Sequence, residues 1–270
     1  MENRKEIDIK ILDDDCLAEI FTHLPLKKRI EIEEVCQWWQ AVGRNSWHDI
    51  KKLKFSKYQN SDMTQEDIEQ ILFRCGYFLK SLEIWDRCYS SILLSVQAYC
   101  PNLEKLVVQF DAWNGEQLAS IFSNMKNLQH IKFDLGGRFN YLSTPYYFAD
   151  ELIKGISLIN SLTHVEIDHH LNISGCKKVT NSGLEKLAKL EFLTNLRIKF
   201  LPHIKDTIFS EFRNLKNVSC VGCANVNDIS IHKLLKSSRN LERLYLRETP
   251  ITVNTLLFAN GFTRYQDFFF

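Results

Sequence analysis

A short apolar pattern occurs seven times along the chain, and no other feature restricts the possible folds as strongly. In each copy the first, fourth and sixth residues are apolar, and the copies begin at Leu79, Leu103, Leu128, Leu162, Leu193, Leu215 and Leu241. Successive copies start 24, 25, 34, 31, 22 and 26 residues apart. Apolar residues two positions apart predict a strand with one buried face. The chain should therefore contain seven short strands at fairly regular intervals.

Helical patterns fill the intervals between these strands. They begin with residues that cap helices well and cover residues 114–125, 150–159, 181–190, 206–215 and 227–238. A further helix is predicted from Thr64, with Gly76 as a left-handed residue at its end. The chain is therefore predicted to have an α/β fold made of repeated strand–helix units.

A strand and a helix in roughly every 20–29 residues are typical of leucine-rich repeats. One unit cannot bury its apolar face alone, so the units should stack into a curved solenoid with parallel strands on the concave face and helices on the convex face. Residues 174–184 resemble the cysteine-containing subtype of these repeats. The fourth strand has two possible positions, 165–167 and 171–173, and the longer spacings predict loops at 136–147 and 168–175.

The first fifty residues follow a different pattern. The apolar stripe of an amphipathic helix consists of Leu17, Ile20, Phe21 and Leu24. Pro25 ends this helix, and a second helical pattern follows. Three tryptophans, Trp38, Trp39 and Trp47, lie within ten residues. So short a segment cannot enclose three indole rings, and we expect some aromatic surface to contact another molecule.

This segment resembles an F-box. The residues that match the family pattern are Leu12, Leu17, Ile20, Phe21, Leu24, Pro25, Leu26, Arg29, Val35, Cys36, Trp39 and Trp47. Asp13 departs from it, since the family usually has proline there. In the family this three-helix segment binds the Skp adaptor of a cullin–RING ubiquitin ligase. The resemblance therefore implies that these twelve residues bind a Skp adaptor and, through it, the cullin and RING subunits.

These patterns divide the chain into an F-box at residues 8–50, a basic linker at 51–60, and a leucine-rich-repeat solenoid of about seven repeats at 61–270. The chain ends on three phenylalanines. Because solenoid ends normally need a polar capping repeat, this predicts an incomplete C-terminal end.

Composition restricts the class of protein. A formal net charge of +1 argues against a general polyanion binder. The first ten residues contain no apolar signal-peptide core, and no apolar run is long enough to span a membrane. The eight cysteines are scattered, several of them within apolar stripes. These features predict a protein of the reducing cytoplasm or nucleus.

Few residues suggest chemistry. Cys220 and Cys223 have zinc spacing, but no second pair accompanies them, and Cys220 occupies a core position of its repeat. His169 and His170 follow Asp168, where we expect a solvated loop. No phosphate-binding loop, nucleophile motif or RING pattern occurs. The sequence therefore predicts a protein that is not an enzyme and needs no cofactor or metal.

The outward-facing strand residues are the candidate target-binding side chains. The predicted set is Trp85, Gln109, Lys132, Asp134, Arg197, Lys199, Tyr245 and Arg247. Tryptophan, tyrosine and arginine are enriched in protein interfaces. We therefore expect the solenoid to bind an unidentified protein on its concave face.

The resemblance and the repeats together predict a substrate-recognition adaptor of an SCF-type E3 ubiquitin ligase, which captures a target for ubiquitination and proteasomal degradation. It would act by proximity, raising the target's effective concentration near the conjugating enzyme. Two alternatives remain open. One is a non-catalytic scaffold that delivers no substrate. The other is an RNA-binding solenoid that uses Arg197, Lys199, Arg243 and Arg247, against which the near-neutral net charge argues.

Overall fold

The computed structural model describes residues 9–56, 58, 62–112, 120–122, 124–134, 148–168, 180–201, 203–261 and 268–269. Its α-helices are α1 (Asp14–Thr22), α2 (Leu26–Ile32), α3 (Gln37–Asn45), α4 (Gln65–Cys75), α5 (Ile92–Tyr99), α6 (Phe148–Ile156), α7 (Asn181–Leu187), α8 (Asp228–Ser237) and α9 (Val253–Asn260). Short 3-10 helices cover Ile9–Ile11, Ser46–Asp49, Gly76–Phe78 and Asp206–Ser210.

The described strands form one sheet in which spatial order equals chain order. They are β1 (Lys52–Ser56), β2 (Ser81–Tyr89), β3 (Lys105–Ala112), β4 (His130–Asp134), β5 (His164–Asp168), β6 (Asn195–Ile198), β7 (Asn217–Ser219), β8 (Arg243–Tyr245) and β9 (Phe268–Phe269). Every neighbouring pair is parallel. The predicted α/β class is therefore confirmed, and the seven predicted strand positions coincide with β2 to β8.

The strand register aligns the repeated apolar residues into buried rows. One row runs through Leu53, Leu82, Leu106, Ile131, Val165, Leu196, Val218 and Leu244. A second row runs through Phe55, Ile84, Val108, Phe133, Ile167 and Ile198. A slip of one residue in any strand would turn its apolar residues outward, so burial of these rows fixes the register.

The fourth strand lies at the first of its two predicted positions, since Val165 and Ile167 occupy the buried rows. Asp168, the first residue of the loop predicted at 168–175, is the last residue of β5. The rest of that loop, with His169, His170 and the alternative strand at 171–173, lies outside the described residues, as does the loop predicted at 136–147.

Several predicted helices differ in extent from the observed ones. The helix predicted over 206–215 is a 3-10 helix that ends at Ser210, and the one predicted over 150–159 begins at Phe148. Most of the helix predicted over 114–125 lies outside the described residues. The predicted start at Thr64 is confirmed, because Thr64 and Asp67 form a reciprocal capping box.

The structure differs from the predicted linker over residues 51–60, because Lys52–Ser56 forms β1 and pairs with β2 along its whole length. Leu53 and Phe55 turn toward the core, and the intervening Lys52 and Lys54 remain exposed. In this segment exposed lysines alternate with inward-facing apolar residues, as expected of a strand with one buried face. The basic character of this segment belongs to the outward face of the sheet.

Gly76 also differs from its prediction. Its backbone is right-handed, with φ −55°, and leads into the 3-10 helix Gly76–Phe78. The need for glycine here comes from close packing, since a Cβ atom would lie 2.6 Å from the Tyr99 carbonyl oxygen and 2.9 Å from Cys100 Sγ. Glycine thus allows α4 to approach the end of α5.

Candidate functional site

The twelve residues of the F-box pattern differ widely in exposure. Leu17, Phe21, Arg29 and Trp47 are buried; Leu12, Leu24, Leu26 and Trp39 are half-buried; Ile20, Pro25, Val35 and Cys36 are exposed. Ile20 is 46% exposed and Val35 is 61% exposed. The pattern therefore contains an interior set that holds the N-terminal helices together and an exposed set that is accessible to another molecule.

A small core of its own holds α1 against α3. Leu17, Phe21 and Val42 are buried together, with Trp39 among the half-buried residues that pack against them. The rings of Phe21 and Trp39 meet edge to face, with centroids 5.3 Å apart. Such aromatic pairs stabilise a core beyond the area that they bury.

Arg29 has an interior role that its place in the pattern does not reveal. Its guanidinium donates to the carbonyl oxygens of Thr22, Leu24 and Ser46, and Nη1 lies 3.0 Å from Asp49 Oδ1. These contacts join the end of α1 to the 3-10 helix Ser46–Asp49. Arg29 therefore holds the segment together and is largely unavailable to a partner.

Glu33 connects the N-terminal helices to the rest of the chain. Its carboxylate is buried and accepts hydrogen bonds from Trp47 Nε1 and from Arg74 Nε on α4, both at 2.8 Å. Trp47 and Ile50 also belong to the main apolar core under the sheet. The N-terminal helices are thus packed onto the repeat units.

The F-box pattern leaves out two exposed apolar residues of this segment, Ile9 and Ile11. Ile11 is 77% exposed and lies just before the helix cap Asp13. The available signal was an aliphatic residue two positions before the acidic run that begins at Asp13. We call three of the exposed apolar side chains of this segment the exposed apolar set: Ile11, Ile20 and Val35.

On the outward face of the sheet, Glu83 on β2 is surrounded by polar partners. Lys105 Nζ on β3 lies 2.7 Å from its carboxylate, and Trp85 Nε1 lies 3.4 Å away. Burial acts to raise the pKa of Glu83, but the hydrogen bonds from Lys105 and Trp85 together with the charges of Lys105 and Lys54 outweigh burial and lower it. The Trp85 ring in turn lies 5.6 Å from Lys132 Nζ, within range of a cation–π interaction.

Charged side chains from β4, β5 and the end of β6 form a network that we call the acid–base cluster: Lys132, Glu166, Asp168, Arg197 and Lys199. Asp168 is only 1% exposed and has Lys132 Nζ at 2.8 Å, Lys199 Nζ at 3.5 Å and Arg197 Nε at 3.6 Å. Burying a carboxylate is costly unless it is paired with cations or hydrogen-bonded. Three cations, one on β4 and two on or just after β6, therefore meet at one aspartate.

Glu166 receives its strongest contact from a histidine. His130 Nε2 lies 3.3 Å from Glu166 Oε1, while Lys132 Nζ and Arg197 Nη1 lie 3.7 and 3.8 Å from Oε2. The hydrogen bond with His130, followed by the charges of Lys132 and Arg197, lowers the pKa of Glu166 to about 2. Glu166 is therefore negatively charged at neutral pH.

Two histidines stack beside this glutamate. The rings of His130 and His164 are nearly parallel, with centroids 5.3 Å apart. Burial and the neighbouring His130 lower the pKa of His164. His164 therefore favours the neutral form at neutral pH.

A hollow of about 420 Å³ opens on the outward face between β5 and β8. It is lined by His164, Val165, Glu166, Asn195, Leu196, Arg197, Asn217, Val218, Ser219, Val221 and Tyr245. Register places Glu166, Arg197, Ser219 and Tyr245 side by side on successive strands. The hollow exists because asparagine and serine on β6 and β7 are shorter than the charged residues on either side.

The structure brings together only part of the predicted target-binding set. Lys132, Arg197 and Lys199 meet in the acid–base cluster, Trp85 contacts Lys132, and Tyr245 lines the hollow. Asp134 is buried, and Gln109 is its register partner on β3. Arg247 lies beyond β8 and pairs with Glu248 at 3.6 Å. Most of the predicted residues thus lie on one face, and Arg247 lies apart.

The predicted target-binding set does not contain four residues that organise this face, Glu166, Asp168, Asn195 and Asn217. Glu166 and Asp168 hold the cations, and Asn195 and Asn217 join by a 2.5 Å hydrogen bond across β6 and β7. All four alternate with the apolar rows. The asparagines could have been found from the sequence, because Asn195 and Asn217 directly precede the buried residues Leu196 and Val218 and therefore face outward.

The cysteine pair Cys220 and Cys223 lies in the core. Burial raises the pKa of Cys223 to about 11 and raises that of Cys220 well above its usual range. Cys223 Sγ lies 3.7 Å from the Ile198 carbonyl oxygen. In the described part of the chain, no group of three or more His, Cys, Asp or Glu side chains is placed to hold a metal ion. Nor does any helix there have the length and apolar character needed to cross a membrane.

Comparison with known proteins gives distant relatives. No family model matches the chain. The human F-box/LRR-repeat protein 12 is 21% identical over 242 residues, which cover 77% of this chain and 69% of that protein. The mouse protein of the same name is 20% identical over 271 residues, which cover 93% of this chain and 75% of the relative. The resemblance seen in the sequence is thus supported at low identity.

A solved structure shares the fold. A Bacteroides fragilis protein superposes with a TM-score of 0.53 at 13% sequence identity. The match covers 83% of this chain and 66% of the bacterial protein, so the chain spans just under two thirds of that protein's length. At this identity the likeness concerns the fold alone.

Proposed function

We propose that this chain is the target-recognition subunit of an SCF-type E3 ubiquitin ligase. The N-terminal helices, residues 8–50, form an F-box that binds a Skp adaptor, and the repeats that follow form a leucine-rich-repeat solenoid that captures a target protein. The chain performs no transfer chemistry itself and acts in the cytoplasm or nucleus, with cullin and RING subunits bound through the adaptor. The distant similarity to F-box/LRR-repeat proteins supports this assignment.

The observation that carries the proposal is the exposed apolar set on the N-terminal helices. Ile20 and Val35 belong to the F-box pattern, yet the small core of this segment does not bury them. Several exposed aliphatic side chains on one short segment indicate a surface that another protein covers. The buried members of the pattern, by contrast, hold the helices that present this surface.

The attachment of the helices to the sheet suits an adaptor. Glu33 joins the N-terminal segment to α4, and Trp47 inserts into the main core. A target held on the sheet would therefore stay at a fixed distance from the adaptor. Proximity of this kind raises the effective concentration of the target's lysines near the conjugating enzyme.

The charge pairing on the sheet disfavours the RNA-binding alternative. Arg197 and Lys199, two of the cations in that hypothesis, lie beside Asp168, and Arg247 lies beside Glu248. Nucleic-acid affinity depends on cations that neutralise phosphates, and these cations already have acidic neighbours. A protein target offers a better match to this mixed surface.

Affinity purification followed by mass spectrometry tests the proposal. The wild-type chain should recover a Skp adaptor together with cullin and RING subunits, and the double variant Ile20→Glu, Val35→Glu should lose all three. A truncation is a poor control, because removing the N-terminal helices would expose the Trp47 site of the core. Recovery of the adaptor without cullin would favour the scaffold alternative, and recovery of neither by the wild type would refute the proposal.

A further inference from the structure

Arg197 is held in place by charge but keeps its hydrogen-bond donors. Its side chain is 43% exposed, and its distances to Asp168 and Glu166, 3.6 and 3.8 Å, exceed those of hydrogen bonds. Its Nε is buried and makes no hydrogen bond to any group in the described part of the chain, so an incoming group would have to bind the terminal Nη atoms. A guanidinium carries five N–H donors in a planar fork. The ion pairs therefore position this arginine, and its guanidinium can still donate hydrogen bonds.

The hollow gives an incoming group access to this guanidinium. Ser219 is the register partner of Arg197 on β7, roughly 4.8 Å away across the sheet, and its short side chain leaves the space beside the arginine open. Tyr245 lies beyond Ser219 on β8. A side chain that enters between Arg197 and Tyr245 would meet the arginine fork on one side and the tyrosine on the other.

The charges around the hollow match a single negative charge. Glu166 lines it and Asp168 lies behind Arg197, so a doubly charged group such as phosphate would be repelled by both. Lys132 and Lys199 already face Asp168. A carboxylate carries one charge and accepts two parallel hydrogen bonds from an arginine fork.

We propose that this hollow binds the carboxylate of an aspartate or glutamate in the captured target, with Arg197 as the residue that recognises it. The inference rests on the proposed role of the sheet in target capture. It adds the chemical class of the target segment: an acidic side chain, flanked by residues small enough to approach the Asn195–Ser219 floor.

Selection from a library of random dodecapeptides, displayed with both ends blocked and probed with the purified full chain, tests the proposal. Recovered peptides should be enriched in aspartate or glutamate at one position. Replacing that residue by glutamine should weaken binding about tenfold or more in fluorescence anisotropy. Replacing it by phosphoserine should not improve binding. Tighter binding of the phosphoserine peptide would overturn the carboxylate assignment in favour of a phosphate site.

Variants locate the site. Arg197→Gln should remove the preference for the acidic residue, and Ser219→Tyr, which fills the hollow and keeps every charged residue of the ion pairs, should do the same. Arg213→Gln removes an equal charge from an exposed loop position outside the hollow and should leave peptide binding unchanged. No acidic preference, or one that survives both hollow variants, would overturn the proposal. Skp-adaptor binding by the same preparations distinguishes this failure from failure of the proposed function.

Discussion

Arg74 Nε lies 2.8 Å from Glu33 Oε2, although the two residues are 41 positions apart in the chain. The carboxylate of Glu33 is 4% exposed and is also bonded by Trp47. Buried polar groups are stable only when their hydrogen bonds are satisfied, so the loss of either partner should lower the free energy of unfolding. The pair therefore fixes how the proposed docking segment meets the sheet.

Glu33→Ala should reduce the free energy of unfolding by about 3–5 kcal/mol, since it leaves the charge of Arg74 and the Trp47 N–H without their acceptor. Urea denaturation monitored by circular dichroism measures the loss. The neighbouring Glu34 is exposed, and Glu34→Ala should change stability by less than about 0.5 kcal/mol. Equal denaturation midpoints for the two variants would show that the Glu33 contacts do not stabilise the fold.

The acid–base cluster predicts a pH dependence. The pKa of Glu166 is lowered from 4.5 to about 2, mainly by His130, so folding favours its ionised form. Its contribution to stability should be complete above about pH 4.5 and should disappear as the pH falls through about 2. The stability difference between wild type and Glu166→Gln, measured by urea denaturation from pH 7 to pH 3, should therefore shrink at the acid end. A difference that stays constant across this range would rule out the assigned role of Glu166.

Gly76→Ala should destabilise the protein by about 1–3 kcal/mol through overpacking. The backbone at Gly76 suits alanine, but its Cβ would collide with the Tyr99 carbonyl oxygen at 2.6 Å. Gly261 provides the control, since its nearest contact would be 3.4 Å, and Gly261→Ala should be close to neutral. Thermal unfolding of both variants measures the effect. A neutral Gly76→Ala would mean that α4 and α5 are not tightly packed there.

The sequence predicted the strands well because burial of one face gives a signal within each strand. The spacing of Leu82 and Ile84, repeated in six later strands, was enough to locate the sheet. β1 was missed because the lysines at 52 and 54 suggested a solvated linker. The core uses only the alternate residues Leu53 and Phe55 of this strand. The alternation of lysine and apolar residues at positions 52–55 was the sequence signal for this strand.

Side-chain roles were harder to predict because they depend on contacts between distant residues. Arg29 and Trp47 match a docking pattern, yet both are buried, since so small a helical segment needs interior contacts of its own and of the main core. Lys132, Asp168 and Arg197 meet only through the register of β4, β5 and β6. Local sequence patterns predict the face on which a residue lies, but the pairing across strands requires the structure.

The affinity of the purified chain for a Skp adaptor, determined by isothermal titration calorimetry, tests whether the exposed apolar set binds the adaptor. Ile20→Glu with Val35→Glu places two charges in the proposed apolar interface. This double variant should weaken binding about thirtyfold or more while leaving the unfolding temperature nearly unchanged. Leu257→Glu, at an equally exposed apolar position on α9, should bind like wild type. If the double variant binds the adaptor as tightly as wild type, or if wild type does not bind it, the central claim is contradicted.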